Sequence, residues 1–306
     1  MFDYFLAAFE GTRKARAAHQ QAMLHDPGIA TAVQELWKRC PPPDDDAVAP
    51  IFLLSAGWRS GSTMLQRLIM SDPRVLMWGE PYDECGLIQA LAGSMRAFRA
   101  NWPPKEYFYD GAPPSQLSGE WIANLFPSIS DWRQGQRNLF DTLFAQPAKR
   151  AGTARWGIKE VRLTGEHGLY LQWIYPKARF VFLYRDPLDA YRSYCRYGRD
   201  WYDVFPDQPM FTPAAFGAHW RKLMESFELH AKTLNALMVR YEDLVSGAMP
   251  LDTVEAHLDI TIDRSLLKTK VGSSERGGKK ALLSSLEKWL LLRAAAPAAS
   301  RFGYPR

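Results

Sequence analysis

Short apolar runs separated by longer amphipathic stretches dominate the hydrophobic pattern of this chain. Such runs are typical of strands that are buried on both faces of a parallel sheet. They predict strands at residues 51–54, 75–78, 155–158, 180–184 and 236–241. Between the strands, apolar residues recur at helical spacing, as at Met64, Leu65, Leu68 and Ile69. The alternation predicts a three-layer α/β/α fold with a central parallel sheet.

The two ends and one central segment break this alternation. Residues 1–39 predict helix, which the run of three prolines and three aspartates at 41–46 ends. We therefore predict an N-terminal helical extension and linker over residues 1–48, followed by one α/β domain over 49–306. Residues 100–135 are rich in Pro, Gly and Trp and predict a long irregular insertion, suited to substrate binding or to a lid. Further helices are expected at 188–197 and 282–292.

Composition narrows the classes of function without choosing one. The 38 Lys and Arg against 33 Asp and Glu give a net charge of +5, too small to indicate nucleic-acid binding. That charge suits a pocket for an anion and an ordinary solvated surface equally well. The three cysteines form no disulfide framework and fit a reducing compartment, and the six histidines show no metal-ligand spacing, so no metal is expected.

The same sequence predicts no membrane span. No apolar stretch approaches the roughly 20 residues that cross a bilayer. Asp3 and Glu10 interrupt the apolar N-terminal run, which is unlike a signal peptide. We expect a cytoplasmic protein.

The first candidate anion site follows the first predicted strand. Residues 55–63, SAGWRSGST, lead from that strand into a helix, whose N-terminus offers backbone N–H groups and a positive dipole end. Gly61 allows a phosphate to approach the backbone, Ser60, Ser62 and Thr63 add hydroxyls, and Arg59 adds a charged fork. An ATP-binding P-loop requires G-x-x-x-x-G-K-[ST]. Here Gly57 and Gly61 are four residues apart and Ser62 stands at the lysine position. A simple turn with capping hydroxyls is the other alternative.

The second candidate anion site follows the strand at 180–184. Arg185 leaves that strand at its carboxyl end, and Ser193 lies two helical turns further along. A P-loop NTPase more often places an acidic residue after a comparable strand to hold Mg²⁺. Arginine therefore favours a second anion, unless Arg185 and Asp186 form only a surface pair. Because ligands of parallel sheets bind at the carboxyl ends of the strands, both segments are expected at one site.

Together these segments resemble the PAPS-dependent sulfotransferase family, PAPS being 3′-phosphoadenosine 5′-phosphosulfate. RSGST at 59–63 resembles the family's 5′-phosphosulfate loop, and RDPLDAYRS at 185–193 resembles its 3′-phosphate segment. VRYEDL at 239–244 is a phrase that such enzymes often carry. The similarity spans roughly residues 50–290 and is greatest to the tyrosylprotein and carbohydrate sulfotransferases. The catalytic histidine and the lysine in place of Arg59, which mark the cytosolic aryl and steroid enzymes, are not found in this sequence. The resemblance implies a P-loop-like fold and no metal.

The resemblance also implies roles for individual residues. Glu80, in Gly-Glu-Pro just after the second strand, is the expected general base, with Asp83 and Glu84 as rivals. Lys159 is expected to face the transferred group, where a cation stabilises the charge that grows on the departing phosphate. The alternatives are that Glu80 only caps a helix or pairs with an arginine, and that Lys159 lies in solvent.

Arg59 is expected to share the task of Lys159, in addition to binding the donor. Ser274 and Lys279, in the flexible basic segment 273–280, are expected to close over the nucleotide, and Tyr241 to contact it or merely pack.

The predicted activity is therefore transfer of a sulfuryl group from PAPS, with release of 3′-phosphoadenosine 5′-phosphate (PAP). The acceptor is expected to be a hydroxyl or amine of a carbohydrate or small natural product, with a peptide tyrosine as another choice. The aromatic residues of 100–135, with Trp201 and Tyr202, are candidates for stacking on it, or for the core. A P-loop kinase of a small molecule and a non-catalytic nucleotide-binding module are the alternatives, and the oligomeric state is not predicted.

Overall fold

The computed structural model describes residues 28–44, 46–82, 85–119, 122–195, 210–268 and 282–304. Parts of several predictions lie outside these residues: the helix over 1–27, the rival bases Asp83 and Glu84, the end of the helix at 196–197, Trp201 and Tyr202, and the segment with Ser274 and Lys279.

Five parallel strands form one sheet in the order β2-β3-β1-β4-β5. Their bounds are β1 Ile51–Ser55, β2 Val75–Trp78, β3 Arg155–Glu160, β4 Arg179–Tyr184 and β5 Leu237–Arg240. The central strand β1 pairs with β3 on one side, Leu53 opposite Lys159, and with β4 on the other, Leu53 opposite Val181. The five predicted strands are present, with corrections at their ends. Strand β5 is shorter than predicted, because Ala236 lies outside it and Tyr241 begins a helix, and β3 continues past the predicted end to Glu160.

Helices cover both faces of this sheet, which confirms the three-layer α/β/α fold. The helices are α1 Ile29–Arg39, α2 Ser62–Ile69, α3 Leu87–Ser94, α4 Pro114–Leu117, α5 Ile129–Phe140, α6 Gln146–Arg150, α7 Gly165–Ile174, α8 Pro187–Cys195, α9 Pro213–His230, α10 Tyr241–Ser246, α11 Leu251–Leu258 and α12 Ser285–Ala299. A π-helical turn, Asp141–Ala145, joins α5 to α6.

Alternating residues of each strand supply the two cores. Phe52 and Leu54 of β1 face the larger core, which α1, α5, α7, α9 and α12 complete. Ile51 and Leu53 face the smaller core with α2, α10 and α11. Helix α1 packs into the larger core through Ile29, Val33 and Leu36, so the described part of the N-terminal extension shares the core of the α/β domain.

Two helix starts differ from the prediction because capping residues set them. Residues 100–135 were expected to be irregular, but the short helix α4 lies within them, and α5 begins at Ile129, where the Ser128 hydroxyl accepts a hydrogen bond from the backbone N–H of Asp131. The last helix begins at Ser285 and not at Leu282, because Ser284 and Glu287 form a capping box. Within the described ranges, no helix is both long and apolar enough to cross a membrane.

Candidate active site

The loop between β1 and α2 turns sharply because three of its residues adopt left-handed backbone conformations. These are Gly57, Arg59 and Gly61, with φ of 83°, 62° and 91°. A side chain at Gly61 would place its Cβ 2.3 Å from Cδ2 of Tyr241, so both the conformation and the neighbour require glycine. Among the described residues no side chain caps the start of α2. Its first N–H groups therefore remain available to an anion.

The two candidate anion segments contact each other. Arg59 Nε donates a hydrogen bond to Ser193 Oγ at 3.1 Å, and Arg185 Nη1 donates to the backbone oxygen of Arg59 at 3.1 Å. These contacts join positions more than 120 residues apart in the chain. The sheet explains them, because β1 and β4 are neighbours and their carboxyl ends lie side by side.

Arg185 is held by an aromatic ring and by a hydrogen bond to its backbone, while its guanidinium Nε remains without a partner in the described chain. Its guanidinium lies 4.5 Å from the ring centroid of Tyr241, a cation–π contact, and its backbone oxygen accepts from Trp220 Nε1 at 3.0 Å. Its Nε is buried and has no hydrogen-bond partner within the described part of the chain. A buried donor without a partner is costly, so this arrangement favours an anionic ligand beside Arg185.

Asp186 does not form the alternative surface pair with Arg185. Its carboxylate instead caps α8, accepting hydrogen bonds from the N–H groups of Leu188 at 2.8 Å and Asp189 at 2.9 Å. Burial raises the pKa of the Asp186 carboxyl. The backbone N–H of Asp186 donates to Glu242, whose other oxygen accepts from the Tyr304 hydroxyl at 2.9 Å. The turn after β4 is thereby fastened to α10, the helix that directly follows β5.

Glu80 and Lys159 form an ion pair at the same edge of the sheet. Glu80 lies two residues beyond β2, and Lys159 is the penultimate residue of β3, which pairs with β2. Lys159 is only 6% exposed, so it is not the solvent-exposed lysine of the alternative prediction. Glu80 pairs with a lysine, not an arginine, and its side chain faces a cleft.

That cleft has a volume of about 330 Å³ and opens at the carboxyl ends of the strands. Its described lining includes eight predicted site residues: Arg59, Gly61, Ser62, Thr63, Glu80, Arg185, Ser193 and Tyr241. Lys159 reaches it through Glu80. Ser60 does not line the cleft, because its side chain is fully buried, and its hydroxyl has no hydrogen-bond partner among the described residues. The roles of all these residues stay predictions.

Three further residues line the cleft to which the sequence analysis gave no role of their own: Trp58, Met64 and Val161. The Trp58 ring lies 5.3 Å from the ring of His219 on α9 and 6.4 Å from the ring of Tyr194 on α8, so it is held between two helices. Burial lowers the pKa of His219 to about 4, so this imidazole is neutral at pH 7. The only sequence signal for Trp58 was a tryptophan within a glycine-rich loop. Its contact with His219 could not be predicted, because the two residues lie far apart in sequence.

The described residues contain no group of three or more His, Cys, Asp or Glu side chains that could hold a metal ion. The cleft instead combines arginine forks, hydroxyls and free helix N–H groups with one carboxylate–ammonium pair. Such a set can bind two anionic groups and transfer a proton beside them.

Comparison with known proteins agrees with this chemistry. Residues 50–263, more than half of the chain, match the sequence model of a family described as "Sulfotransferase family". A search of curated proteins finds no match.

Solved structures with similar folds include three sulfotransferases. The sulfotransferase domain of the Synechococcus PCC 7002 olefin synthase gives a TM-score of 0.45 at 18% identity, covering 86% of this chain and 98% of that one. The sulfotransferase domain of the curacin biosynthetic pathway gives 0.46 at 14% identity, covering 85% and 99%. Mouse sulfotransferase SULT7A1, complexed with PAP, gives 0.38 at 18% identity, covering 83% and 72%.

Because these TM-scores lie below 0.5, the assignment is drawn from the sequence match alone. The match begins just before β1 and continues past α11, so it includes the loop at 56–61, Glu80, Lys159, the segment 185–193 and Tyr241. The resemblance predicted from the two anion segments is confirmed: the chain belongs to the sulfotransferase family.

Proposed function

We propose that this protein transfers a sulfuryl group from PAPS to a hydroxyl or amine of its acceptor and releases PAP. The observation that carries the proposal is the direct contact of the two anion segments, through Arg59, Ser193 and Arg185. PAPS carries a 3′-phosphate and a 5′-phosphosulfate, so its recognition needs two anion sites at one cleft.

The side chains at the cleft suit these two groups. Arg185 and Ser193 form the site for the 3′-phosphate, where the unused Nε of Arg185 gains a charge-assisted hydrogen bond. The loop at 59–63, with the N-terminus of α2, forms the site for the 5′-phosphosulfate. Tyr241 fixes the Arg185 guanidinium by cation–π contact and fills the space that Gly61 leaves open.

Transfer follows as an in-line displacement at sulfur. The acceptor oxygen or nitrogen forms a bond to sulfur, and Glu80 accepts the proton that this atom loses. The bond between sulfur and the bridging oxygen of the donor breaks, and the electron pair leaves with PAP. Lys159 and Arg59 offset the negative charge on that oxygen. Lys159 turns from Glu80 to the donor in this step, which frees the carboxylate to act as a base.

For the acceptor we propose a carbohydrate or a small natural product. The support is the resemblance to the carbohydrate branch of the family, together with Glu80, the one carboxylate among the described residues that line the cleft. The acceptor atom must reach Glu80, so the rest of the acceptor lies at the β2 side of the cleft.

Calorimetric titration tests the donor proposal. The wild-type protein is titrated with PAP, 5′-ADP and ATP, each with and without Mg²⁺. We expect PAP to bind in a metal-independent manner and more tightly than 5′-ADP, because only PAP reaches Arg185 and Ser193. Arg185→Ala should weaken PAP binding by about 10- to 100-fold, as expected for a lost hydrogen bond to a charged group.

The matched control is Arg192→Ala, which removes an exposed arginine that pairs with Asp189 next to the proposed phosphate site. Its PAP affinity should stay within about threefold of wild type, since surface pairs contribute little. Preference of the wild type for ATP with Mg²⁺ would replace the proposal with phosphoryl transfer. Equal affinity for PAP and 5′-ADP would remove the 3′-phosphate site.

A further inference from the structure

Tyr304, in the segment that follows α12, is buried at the carboxyl end of β4. Its side chain is 3% exposed, and its ring lies 6.3 Å from the ring of Tyr184, the last residue of β4. Arg185, which directly follows Tyr184, lines the cleft, whereas Tyr304 is not among the described residues that do so. A buried tyrosine thus packs behind the arginine of the proposed 3′-phosphate site.

The peptide group between Arg185 and Asp186 is held at both of its polar atoms. Its oxygen, that of Arg185, accepts a hydrogen bond from Trp220 Nε1 at 3.0 Å. Its N–H, that of Asp186, donates to Glu242 Oε1 at 3.0 Å. Because a peptide group is planar, bonds at its oxygen and at its N–H together fix the orientation of the plane. The Cα of Arg185 lies in that plane, so the two bonds also set the direction of its side chain.

Both of these partners contact Tyr304. Its hydroxyl donates to the second carboxylate oxygen of Glu242, Oε2, at 2.9 Å. Its ring meets the ring of Trp220 edge-on, with centroids 6.0 Å apart. Burial raises the pKa of Tyr304, so the hydroxyl keeps its proton and acts as a donor at neutral pH. One buried side chain therefore supports both anchors of a single peptide group.

Arg240, the last residue of β5, completes this arrangement. Its guanidinium lies 4.6 Å from the centroid of the Tyr304 ring, and it pairs with Glu242 at 3.5 Å and with Asp243 at 3.8 Å. The carboxylate of Glu242 is one hydrogen bond away from the peptide that follows Arg185. Without a cationic partner it would repel an anion bound there, and Arg240 offsets that charge.

We propose that Tyr304 is a positioning residue for the 3′-phosphate site. Through Glu242 and Trp220 it holds the peptide between Arg185 and Asp186, and so directs the Arg185 guanidinium at the phosphate. This rests on the proposed function, which places the 3′-phosphate beside Arg185. Only the 3′-phosphate distinguishes PAP from 5′-ADP, so the ratio of their dissociation constants measures this role. A tyrosine that merely supports the fold would affect the Tm and leave that ratio unchanged.

Tyr304→Phe tests the hydroxyl, because this variant keeps the ring. The full chain is titrated calorimetrically with PAP and with 5′-ADP. The Kd for PAP should rise by about five- to tenfold, since Arg185 is retained but its peptide loses one support. The Kd for 5′-ADP should stay within about twofold of wild type, because this ligand carries no 3′-phosphate.

Tyr175→Phe is the matched control. Tyr175 is also buried, and its hydroxyl donates to a carboxylate, that of Asp141, at 2.7 Å. Its ring packs edge-on against Trp156 near the start of β3, at the opposite end of the strands from the cleft. Both variants remove the same group from the same kind of acceptor, so the Tm should fall in both. The ratio of the two dissociation constants should change only in Tyr304→Phe.

Two further variants test the route through Arg185. In an Arg185→Ala background, Tyr304→Phe should weaken PAP binding by no more than about twofold, because the side chain that it positions is missing. Trp220→Phe breaks the other hydrogen bond to the same peptide and should shift the ratio in the same direction as Tyr304→Phe. It is titrated below its own Tm, and it gives the reading if Tyr304→Phe does not fold.

The outcomes separate this role from the donor site itself. A wild-type ratio in Tyr304→Phe would overturn the role of Tyr304 and leave the proposed function in place. So would an equal change of the ratio in Tyr175→Phe, or an undiminished effect of Tyr304→Phe in the Arg185→Ala background. Equal affinity of the wild-type protein for PAP and 5′-ADP would instead remove the 3′-phosphate site, and the role of Tyr304 with it.

Discussion

Arginines lie at both ends of the parallel strands, but they have different partners. The side where the strands begin is called here the amino edge of the sheet, and the side where they end is called the carboxyl edge. At the amino edge, Arg155 donates to the backbone oxygens of Leu258 and Asp259, both at 2.8 Å, and Arg179 donates to that of His257 at 2.8 Å. These oxygens end α11 and lack helical partners, so the arginines act as caps. Their donors are directed to the protein itself.

At the carboxyl edge, Arg185 has only part of its donors satisfied. It bonds the backbone of Arg59, stacks on Tyr241 and leaves a buried Nε without a partner in the described chain. The amino edge has a larger cavity, about 430 Å³ and lined by Arg155 and Arg179, than the cleft with its 330 Å³. Neither the number of arginines nor cavity size therefore identifies an anion site. The distinction lies in whether backbone oxygens already occupy the guanidinium donors.

The largest expected difference between the edges concerns their ion pairs. Glu80→Gln removes the proposed base but keeps its shape, so sulfuryl transfer from PAPS should fall on the order of 10³-fold. The Kd for PAP should change little, while the Tm should fall because the buried Lys159 ammonium loses its charged partner. Transfer is measured as acceptor-dependent release of PAP.

The amino-edge counterpart is Asp46, which pairs with Arg137 and, at 3.7 Å, with Arg133. Asp46→Asn should lower the Tm and leave the rate of transfer within about threefold of wild type. If Glu80→Gln kept most of the wild-type rate, Glu80 would be a structural partner of Lys159, and the two edges would no longer differ.

The next largest effect concerns stability. It is expected when an arginine whose donors already bond backbone oxygens is removed. Arg133 is buried and donates to the backbone oxygens of Trp173 at 2.7 Å and Ile174 at 2.9 Å, at the end of α7. Arg133→Ala leaves both oxygens without this donor and should cost about 3 kcal/mol in the free energy of unfolding. For a chain of 306 residues the Tm should fall by roughly 5 °C.

PAP binding is the control for this variant, and it should be retained below the lowered Tm. The comparison predicts the reverse pattern for Arg185→Ala, which should lose PAP affinity with little change in Tm. If Arg133→Ala were as stable as wild type, hydrogen bonds from a guanidinium to backbone oxygens would not be enough to identify an arginine with a structural role.

The strands and their order of appearance could be predicted because buried parallel strands are continuous apolar runs. The runs at 51–54 and 180–184 became β1 and β4 with one added residue each. The strand order could not be predicted, since nothing in the local pattern says that β3 lies between β2 and β1. The start of α5 at Ile129 was missed because it depends on a single capping serine, in a region whose composition favours irregular structure.

The site was predictable where its residues follow strands directly. Arg59, Glu80 and Arg185 each lie just beyond a strand, and the parallel topology alone brings such residues to one edge. Ser60 was predicted from its residue type. The burial of its side chain could not be foreseen, because it depends on how the loop turns at Arg59 and Gly61. Trp58 lies in the predicted loop but was given no role for a similar reason, since its neighbours His219 and Tyr194 come from helices distant in sequence.

The smallest effect is expected when two glycines with positive φ, one at each edge, are replaced by alanine. Gly152 precedes β3 at the amino edge with φ 83°, and a Cβ there would meet nothing within 4 Å. Gly152→Ala should therefore cost only the backbone conformation, about 1 kcal/mol, with PAP affinity unchanged. Gly61→Ala carries the same backbone cost, and its Cβ would also displace the ring of Tyr241 from Arg185.

PAP binding by Gly61→Ala should accordingly weaken by about tenfold, measured by the same calorimetric titration. The difference between the two variants isolates the contact with Tyr241, because both substitutions add one methyl group at a left-handed position. If Gly61→Ala bound PAP as tightly as Gly152→Ala does, Tyr241 would not hold Arg185 for the 3′-phosphate. Arg185 would then bind its ligand without that ring. The anion site at the carboxyl edge would consist of the guanidinium with its unpartnered Nε and the α2 N-terminus alone.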